Sequence, residues 1–293
     1  MNKLLGSKKT ICLFVLPALA FFVAIVLLPI CISAYYSLLD WDGIGASTFA
    51  GLSNYLRLFV GNTNGFVPSI WNSLILVVLS VFVQLPIALL LAIILAAGVK
   101  GEGFYRTIYF IPVVLSTVVI GQLWTKIYQP EYGLLNTIFN AVGLGNLAGQ
   151  WLADPKTALI CAFVPTVWQY IGYHMLLFYG GIKAIPGDIY DAAKIDGASS
   201  IQTAFRITLP LLKSTMKTCV IFATIGSLKV FDIVYIMTKG GPMHASEVPS
   251  TVMYSSIFMK NQYGYGSAMS IFIVLECLMF TFLIQRAFKK ENT

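Results

Sequence analysis

Charge is what this chain has least of. Only 11% of its 293 residues are Asp, Glu, Lys or Arg, against roughly a quarter in a soluble domain. With 58% hydrophobic residues and a mean hydropathy of +0.81, a single water-exposed globule is excluded, because its apolar surface has nowhere to go. Cysteine is scarce too. The five, Cys12, Cys31, Cys161, Cys219 and Cys277, lie inside apolar runs, are odd in number and form no C-x-x-C pair. They read as small buried hydrophobes rather than disulfides or metal ligands. His174 and His244 are the only histidines and read as lacking a Cys, Asp or Glu partner at ligand spacing, so no metal site is expected. A phosphate-binding G-x-x-x-x-G-K-[ST] loop is missing, since Gly6-Ser7-Lys8 lacks the preceding glycine. No nucleophile–base pair and no H-E-x-x-H pattern occurs, which argues against an enzyme. The net charge of +7 does not imply nucleic acid, because the basic residues flank apolar runs instead of forming a stripe.

What the chain has is apolar length. Runs fall at about Thr10–Ser37, Ser69–Val99, Phe104–Tyr128, Thr157–Lys183, Thr218–Met237 and Gly264–Arg286, each enough for the ~20 residues a bilayer span needs. The expected fold is all-α and polytopic, six transmembrane helices in one domain over 1–293. The first run follows Lys3, Lys8 and Lys9 but is too long for a signal core, so a retained helix is expected. With the N-terminus inside, inner segments hold Lys100, Arg106, Lys183, Lys194, Arg206, Lys213, Lys217, Arg286, Lys289 and Lys290, while outer ones hold Arg57, Lys156, Lys239 and Lys260, with Lys126 near the outer end of the third run. That asymmetry places both termini in the cytoplasm. Tyr35, Tyr36, Trp41, Trp71, Trp124 and Tyr128 flank spans as an interfacial belt does. The outer segments Leu38–Pro68 and Gln129–Lys156 hold turn chemistry, with a short interfacial helix expected near Leu134–Val142.

Between the fourth and fifth runs lies a polar stretch, about 186–212. Pro186 suits a first helical turn, and Asp188 and Asp191 favour its positive end. Ala192 and Ala193 follow Ile189 on one face, small enough for close approach by a partner. Gly197 ends the helix, Ser199 or Ser200 caps the next, and its stripe reads Ile201, Ala204, Phe205 and Thr208 up to Pro210. An amphipathic helix on the inner leaflet is the plain reading. The spacing adds more. Asp191-Ala192-Ala193, three residues, Gly197, nine residues, then Ile207-Thr208-Leu209-Pro210 resembles the EAA motif of binding-protein-dependent ATP-binding-cassette (ABC) permeases. The leading Glu is Asp191 here, one methylene shorter, which weakens a contact or makes it water-bridged. Phe49-Ala50-Gly51-Leu52-Ser53-Asn54-Tyr55, Phe104-Tyr105-Arg106 through Ile111-Pro112, and Phe231-Asp232 through Thr238-Lys239-Gly240-Gly241-Pro242 resemble further segments of the family. They favour its carbohydrate-uptake branch, the first of two unlike permeases.

The resemblance implies a subunit of a bacterial inner-membrane importer. Asp191, Ala192, Ala193, Asp196, Gly197, Ile207, Leu209 and Pro210 would couple it to a cytoplasmic ABC ATPase dimer. That partner would bind ATP and Mg, leaving this chain no cofactor of its own. A second homologous permease would complete the path, and an extracytoplasmic sugar-binding protein would deliver cargo.

Sugar recognition needs polar groups and an aromatic platform in a wettable cavity. Gln169, Tyr170 and Tyr173, beside Trp168, form a one-turn cluster before the polar stretch, and Ser227 lies on the next span. The family takes its sugar contacts from these two spans, so these four are the expected substrate path; aromatic packing between helices is the plainer reading of any one. Lys229, Asp232 and Glu276 sit inside apolar runs, where ionisable groups are costly. Lys229 and Asp232 are three apart and suit an internal ion pair or the lining of a wet pathway. The rival functions are a proton-coupled secondary transporter using these three residues and an ABC permease for a non-sugar solute.

Overall fold

The computed structural model describes residues 8–60 and 65–290; Lys3, Gly6 and Ser7 lie outside them. The described residues are mostly helical, with one short hairpin, and fall into two compact units.

The first unit gathers the described residues of Met1–Thr63 with Met253–Val274. Helices α1 (Lys8–Phe22) and α2 (Leu28–Tyr36) run on through a π turn at Val23–Leu27. Together they give the apolar helix Cys12–Tyr36, 25 residues long. Strands β1 (Leu39–Asp40) and β2 (Thr48–Phe49) pair antiparallel, Leu39 opposite Phe49. Helix α3 (Ser53–Phe59) follows. The buried Asn54 amide donates to the carbonyls of Ser37 (2.9 Å) and Leu39 (2.8 Å), fixing where the chain leaves the helix.

The second unit gathers the described residues of Asn64–Val252 and Leu275–Thr293. It contains α4 (Phe66–Leu79) and α5 (Leu85–Ala96), joined by a π turn at Ser80–Gln84. Then come α6 (Glu102–Val114), α7 (Thr117–Ile127), α8 (Leu134–Ala141) and α9 (Ala158–Lys183). The polar stretch forms α10 (Gly187–Ile195), α11 (Ser200–Thr203) and α12 (Leu209–Leu211), followed by α13 (Lys213–Leu228) and α14 (Asp232–Met237). Helices α15 (Pro249–Tyr254) and α16 (Tyr263–Lys290) complete the chain, each with residues in both units.

Among the described residues, four helices are long and apolar enough to cross a membrane: Cys12–Tyr36, Phe66–Ala96, Lys213–Met237 and Tyr263–Lys289. The expected third span is not one straight helix. It is the pair α6 and α7, bent by 94°. Pro112 in the last turn of α6 removes a hydrogen bond, and Ser116 starts α7 afresh by accepting from the Val118 N–H at 3.3 Å. The expected fourth span is α9, whose 26 residues reach about 39 Å around a polar and aromatic centre. Lys213–Met237 is interrupted at Lys229–Phe231. The α-helical spacing that would place Lys229 and Asp232 on one face is therefore lost, and they make no ion pair with each other.

Three of the four π turns among the described residues end two positions before a proline: Val23–Leu27 before Pro29, Ser80–Gln84 before Pro86, and Ala204–Thr208 before Pro210. In each, the leucine ahead of the proline donates to the carbonyl five residues back. A proline ring collides with the carbonyl four residues behind it, and a widened turn moves that carbonyl aside.

Small residues let the helices of the second unit approach closely, as they do where lipid offers no hydrophobic drive. Ala88 and Ala92 on α5 are fully buried in a cluster with Met175, Phe178 and Ile182 of α9. Gly172 on α9 sits against the backbone of Tyr109 and Phe110 on α6. Leu76, Ile120, Phe163, Ile233 and Val234 anchor the other cluster, against the bent pair. The segment around α8 is held by Asn136, which bonds the carbonyls of Pro130 and Gly149, the Gly149 N–H and the Trp151 indole. After α14, the Thr238–Pro242 exit is tied by Ser246, whose hydroxyl lies 2.7 Å from Thr238 Oγ1 and 2.6 Å from the Gly241 carbonyl. His244 does have an acidic partner: its Nδ1 lies 2.9 Å from Glu247 Oε1. The described residues still contain no group of three that would hold a metal.

Candidate functional site

Two places in the second unit carry the functional candidates. The polar stretch is built by local capping. Pro186 is the N-cap residue of α10 rather than its first-turn residue. Gly197 takes a left-handed φ of +74°. Its N–H bonds the Lys194 carbonyl, and the Ala198 N–H bonds the Ala193 carbonyl, a Schellman stop. Between the two possible caps of the next helix the structure selects Ser199, in a capping box with Gln202. No atom lies within 4 Å of where a Gly197 side chain would begin. The need for glycine is thus conformational rather than steric.

Ala192 and Ala193 part company: Ala193 is buried and Ala192 is exposed. Asp191 holds Lys194 at 3.1 Å on the open side of α10, both largely solvent-exposed. Asp196 caps the helix and is exposed. Behind it, Tyr190 OH meets the buried Thr208 hydroxyl at 3.3 Å, so α10 is braced against the turn that leads to Pro210. Ile207 and Leu209 are half-buried and Pro210 exposed. The most open large apolar side chains of this stretch are Ile195 (86% exposed), Ile201 (72%) and Phe205 (69%).

The second place is a cavity of about 380 Å³. Gln169, Tyr170, Tyr173 and Ser227 all line it, as do Lys229 and Asp232. It lies where regular backbone fails. The α13–α14 interruption and Thr117 at the start of α7 border it, and so do both ends of the π turn, Ser80 and Gln84. Irregular backbone at membrane depth is tolerated where it is buried in protein or lines a wet cavity. The breaks leave polar backbone to be satisfied, and side chains do this. Gln169 Nε2 donates to the Leu115 carbonyl at the α6–α7 bend, at 3.5 Å.

Sequence reasoning missed Ser80, Gln84, Thr166 and His174, which line the cavity too. Gln84 Nε2 lies 2.8 Å from His174 Nδ1, and the hydroxyls of Ser80 and Ser227 lie 2.9 Å apart. Polar residues inside an apolar run were the available signal. Thr166 Oγ1 and His174 Nε2 are buried with no hydrogen-bond partner among the described residues. Glu276 does not line this cavity; it is buried on α16, its Oε2 likewise unpartnered. An apolar wall with a few convergent polar groups and aromatic rings is the make-up of a small-molecule site.

Known proteins share this sequence and this fold. The chain is 38% identical over 280 residues to the probable ABC transporter permease protein YurN of Bacillus subtilis, covering 94% of this chain and 95% of that one. It is 35% identical over 270 residues to the trehalose/maltose transport system permease protein MalF of Thermococcus litoralis, covering 92% and 90%. Among solved structures, a bacterial ABC transporter involved in import of the acidic polysaccharide alginate has a chain of the same fold. It superposes with a TM-score of 0.82 at 22% identity, over 96% of this chain and 95% of that one. Residues 43–291 match the family described as the binding-protein-dependent transport system inner membrane component, and the chain belongs to that family: it is the membrane permease component of an ABC transport system, not an enzyme.

Proposed function

We propose that this chain is one of two unlike permeases of an ATP-driven sugar importer, with six spans and both termini in the cytoplasm. The observation that carries the reading is the cavity. Gln169, Tyr170 and Tyr173 from α9 and Ser227 from α13 meet there beside two interrupted helices. Amide, hydroxyl and aromatic groups suit sugar hydroxyls and the apolar faces of a pyranose. The trehalose/maltose role in the name of the Thermococcus relative agrees with such cargo.

In this reading the exposed Ile195, Ile201 and Phe205 around α10 seat on an ABC ATPase dimer, which supplies ATP and Mg. Asp191, Ala192 and the stop at Gly197 set the shape of that contact. Closure of the ATPases then moves the permease pair between inward- and outward-open states, a bistable element biased from a distant site. A binding protein delivers sugar from outside.

The test is ATPase activity of the complex, purified from its native membrane into lipid, with and without its binding protein, across a panel of sugars. Stimulation that requires both the binding protein and one sugar class is expected. Tyr173→Ala should lower sugar uptake while the partners still co-purify. A chain recovered with no ATPase, and uptake driven by a proton gradient, would instead establish a secondary carrier.

A further inference from the structure

The geometry points to a positioning role for the π turn Ser80–Gln84, which ties both sugar-path helices and sets the angle at which their side chains meet cargo. The inference rests on the sugar-path reading above, and it concerns residues that do not themselves carry the aromatic platform.

The turn lies between α4 and α5 and closes with the Leu85 N–H on the Ser80 carbonyl, five residues back. Pro86 follows at once. Its ring excludes the Phe82 carbonyl from the place an α-helix would put it, so sequence enforces the wide turn. Both ends of the turn are buried polar side chains: Ser80 is 3% exposed and Gln84 2%. A buried amide or hydroxyl without a partner is costly, and here each finds its partner on a different helix. Gln84 Nε2 reaches His174 Nδ1 on α9 at 2.8 Å. Ser80 shares its 2.9 Å hydrogen bond with Ser227 on α13.

These two contacts reach the sugar-path residues directly. Ser227 is one of them. The His174 ring stands edge-on to Tyr173, centroids 5.1 Å apart at 87°, so fixing His174 fixes the plane of the Tyr173 ring. Gln84 therefore sets the rotamer of a residue that packs on the platform. Ser80 sets the hydroxyl on the facing helix. Because the two lie at opposite ends of one turn, any change in that turn moves both walls of the cavity together.

A merely structural role predicts loss of transport by the same factor for every sugar. A positioning role predicts a change in the ratio between sugars, because an altered side-chain angle favours some hydroxyl patterns over others. The experiment measures uptake by the full complex in lipid for the best sugar and for its epimers and deoxy analogues. The variants are Ser80→Ala, Ser80→Thr, Gln84→Met and, as a control on the platform, Tyr173→Ala. Loss of one buried hydrogen bond should shift the ratio by about three- to tenfold in Ser80→Ala and Gln84→Met. Ser80→Thr, which keeps the hydroxyl, should return it to wild type. Ser80→Ala removes a single atom, so the test stands even if Gln84→Met does not reach the membrane. A wild-type ratio in Ser80→Ala, with Tyr173→Ala shifting it, would overturn the positioning role and leave the sugar path intact. A wild-type ratio in Tyr173→Ala as well would remove the sugar path and the positioning role together.

Discussion

Gln169 Nε2 lies 3.5 Å from the carbonyl oxygen of Leu115. Leu115 stands where the α6–α7 pair turns by 94°, and such a turn strips helix carbonyls of their own partners. A side chain assigned to the sugar path thus also satisfies the backbone that shapes it. Two substitutions separate the roles. Gln169→Leu leaves the carbonyl unpaired at a cost of roughly 1–3 kcal/mol. Gln169→Glu sets an anion against it when ionised, which is worse. Thermal stability of the purified complex should fall in the order wild type, Leu, Glu, with sugar uptake low in both variants. A Gln169→Glu protein as stable as wild type would show that the contact contributes nothing to the bend.

Gly197 carries a φ of +74° with open space where a side chain would project. Strain there is a backbone matter, and a β-branched residue in the left-handed region costs roughly 1–3 kcal/mol. Asparagine tolerates that region. Gly197→Asn should therefore keep most transport, whereas Gly197→Val should lose it with normal membrane abundance. Equal uptake by the two variants, measured against membrane-protein level, would separate the helix stop from coupling.

The apolar side chains of Ile195 and Phe205 are 86% and 69% exposed, so each makes little contribution to the fold of this chain. Ile195→Asp and Phe205→Asp are expected to insert normally yet lose co-purification with the ATPase, because a charge is then buried in the contact. Asp191→Glu restores the methylene that the sequence lacks and should hold the complex at least as tightly as wild type. Pull-down yield on the ATPase reads all three.

How much of this was legible follows from how local each feature is. The stop at Gly197 and the cap at Ser199 are set by residues within one turn, so the sequence shows where α10 ends and α11 begins. The paired reading of Ala192 and Ala193 failed because neighbours in a helix point about 100° apart, and only Ala193 turns inward. The breaks were hidden. Apolar residues continue through Ile111–Pro112–Val113–Val114–Leu115, and at the second break Lys229 alone interrupts Leu228, Val230 and Phe231; a hydropathy run measures length without recording direction. Pro112 and Ser116 hold the clue to the first break. At the π turn the clue was Gln84 followed by Leu85-Pro86, but its partner His174 lies 90 residues on, and no local pattern specifies that pairing. Spacing alone also misled at Lys229 and Asp232, which share a face only if the helix between them is straight.

Lys229 and Asp232 supply the sharpest remaining test. Both are exposed in this chain, both line the cavity, and the helix is interrupted between them. Charged groups at membrane depth face protein or water rather than lipid, and no described residue forms an ion pair with either. Two arrangements follow. If each charge works by itself along a wet path, Lys229→Met and Asp232→Asn will both lower uptake, and the exchange Lys229→Asp with Asp232→Lys will not restore it. If instead the two meet in another state of the cycle, the exchange will recover much of what either single change loses. The interrupted backbone favours the first outcome, since no helical spacing brings the two side chains together. Uptake by the single variants and by the exchanged pair, each corrected for membrane abundance, decides between them through the coupling energy of the cycle.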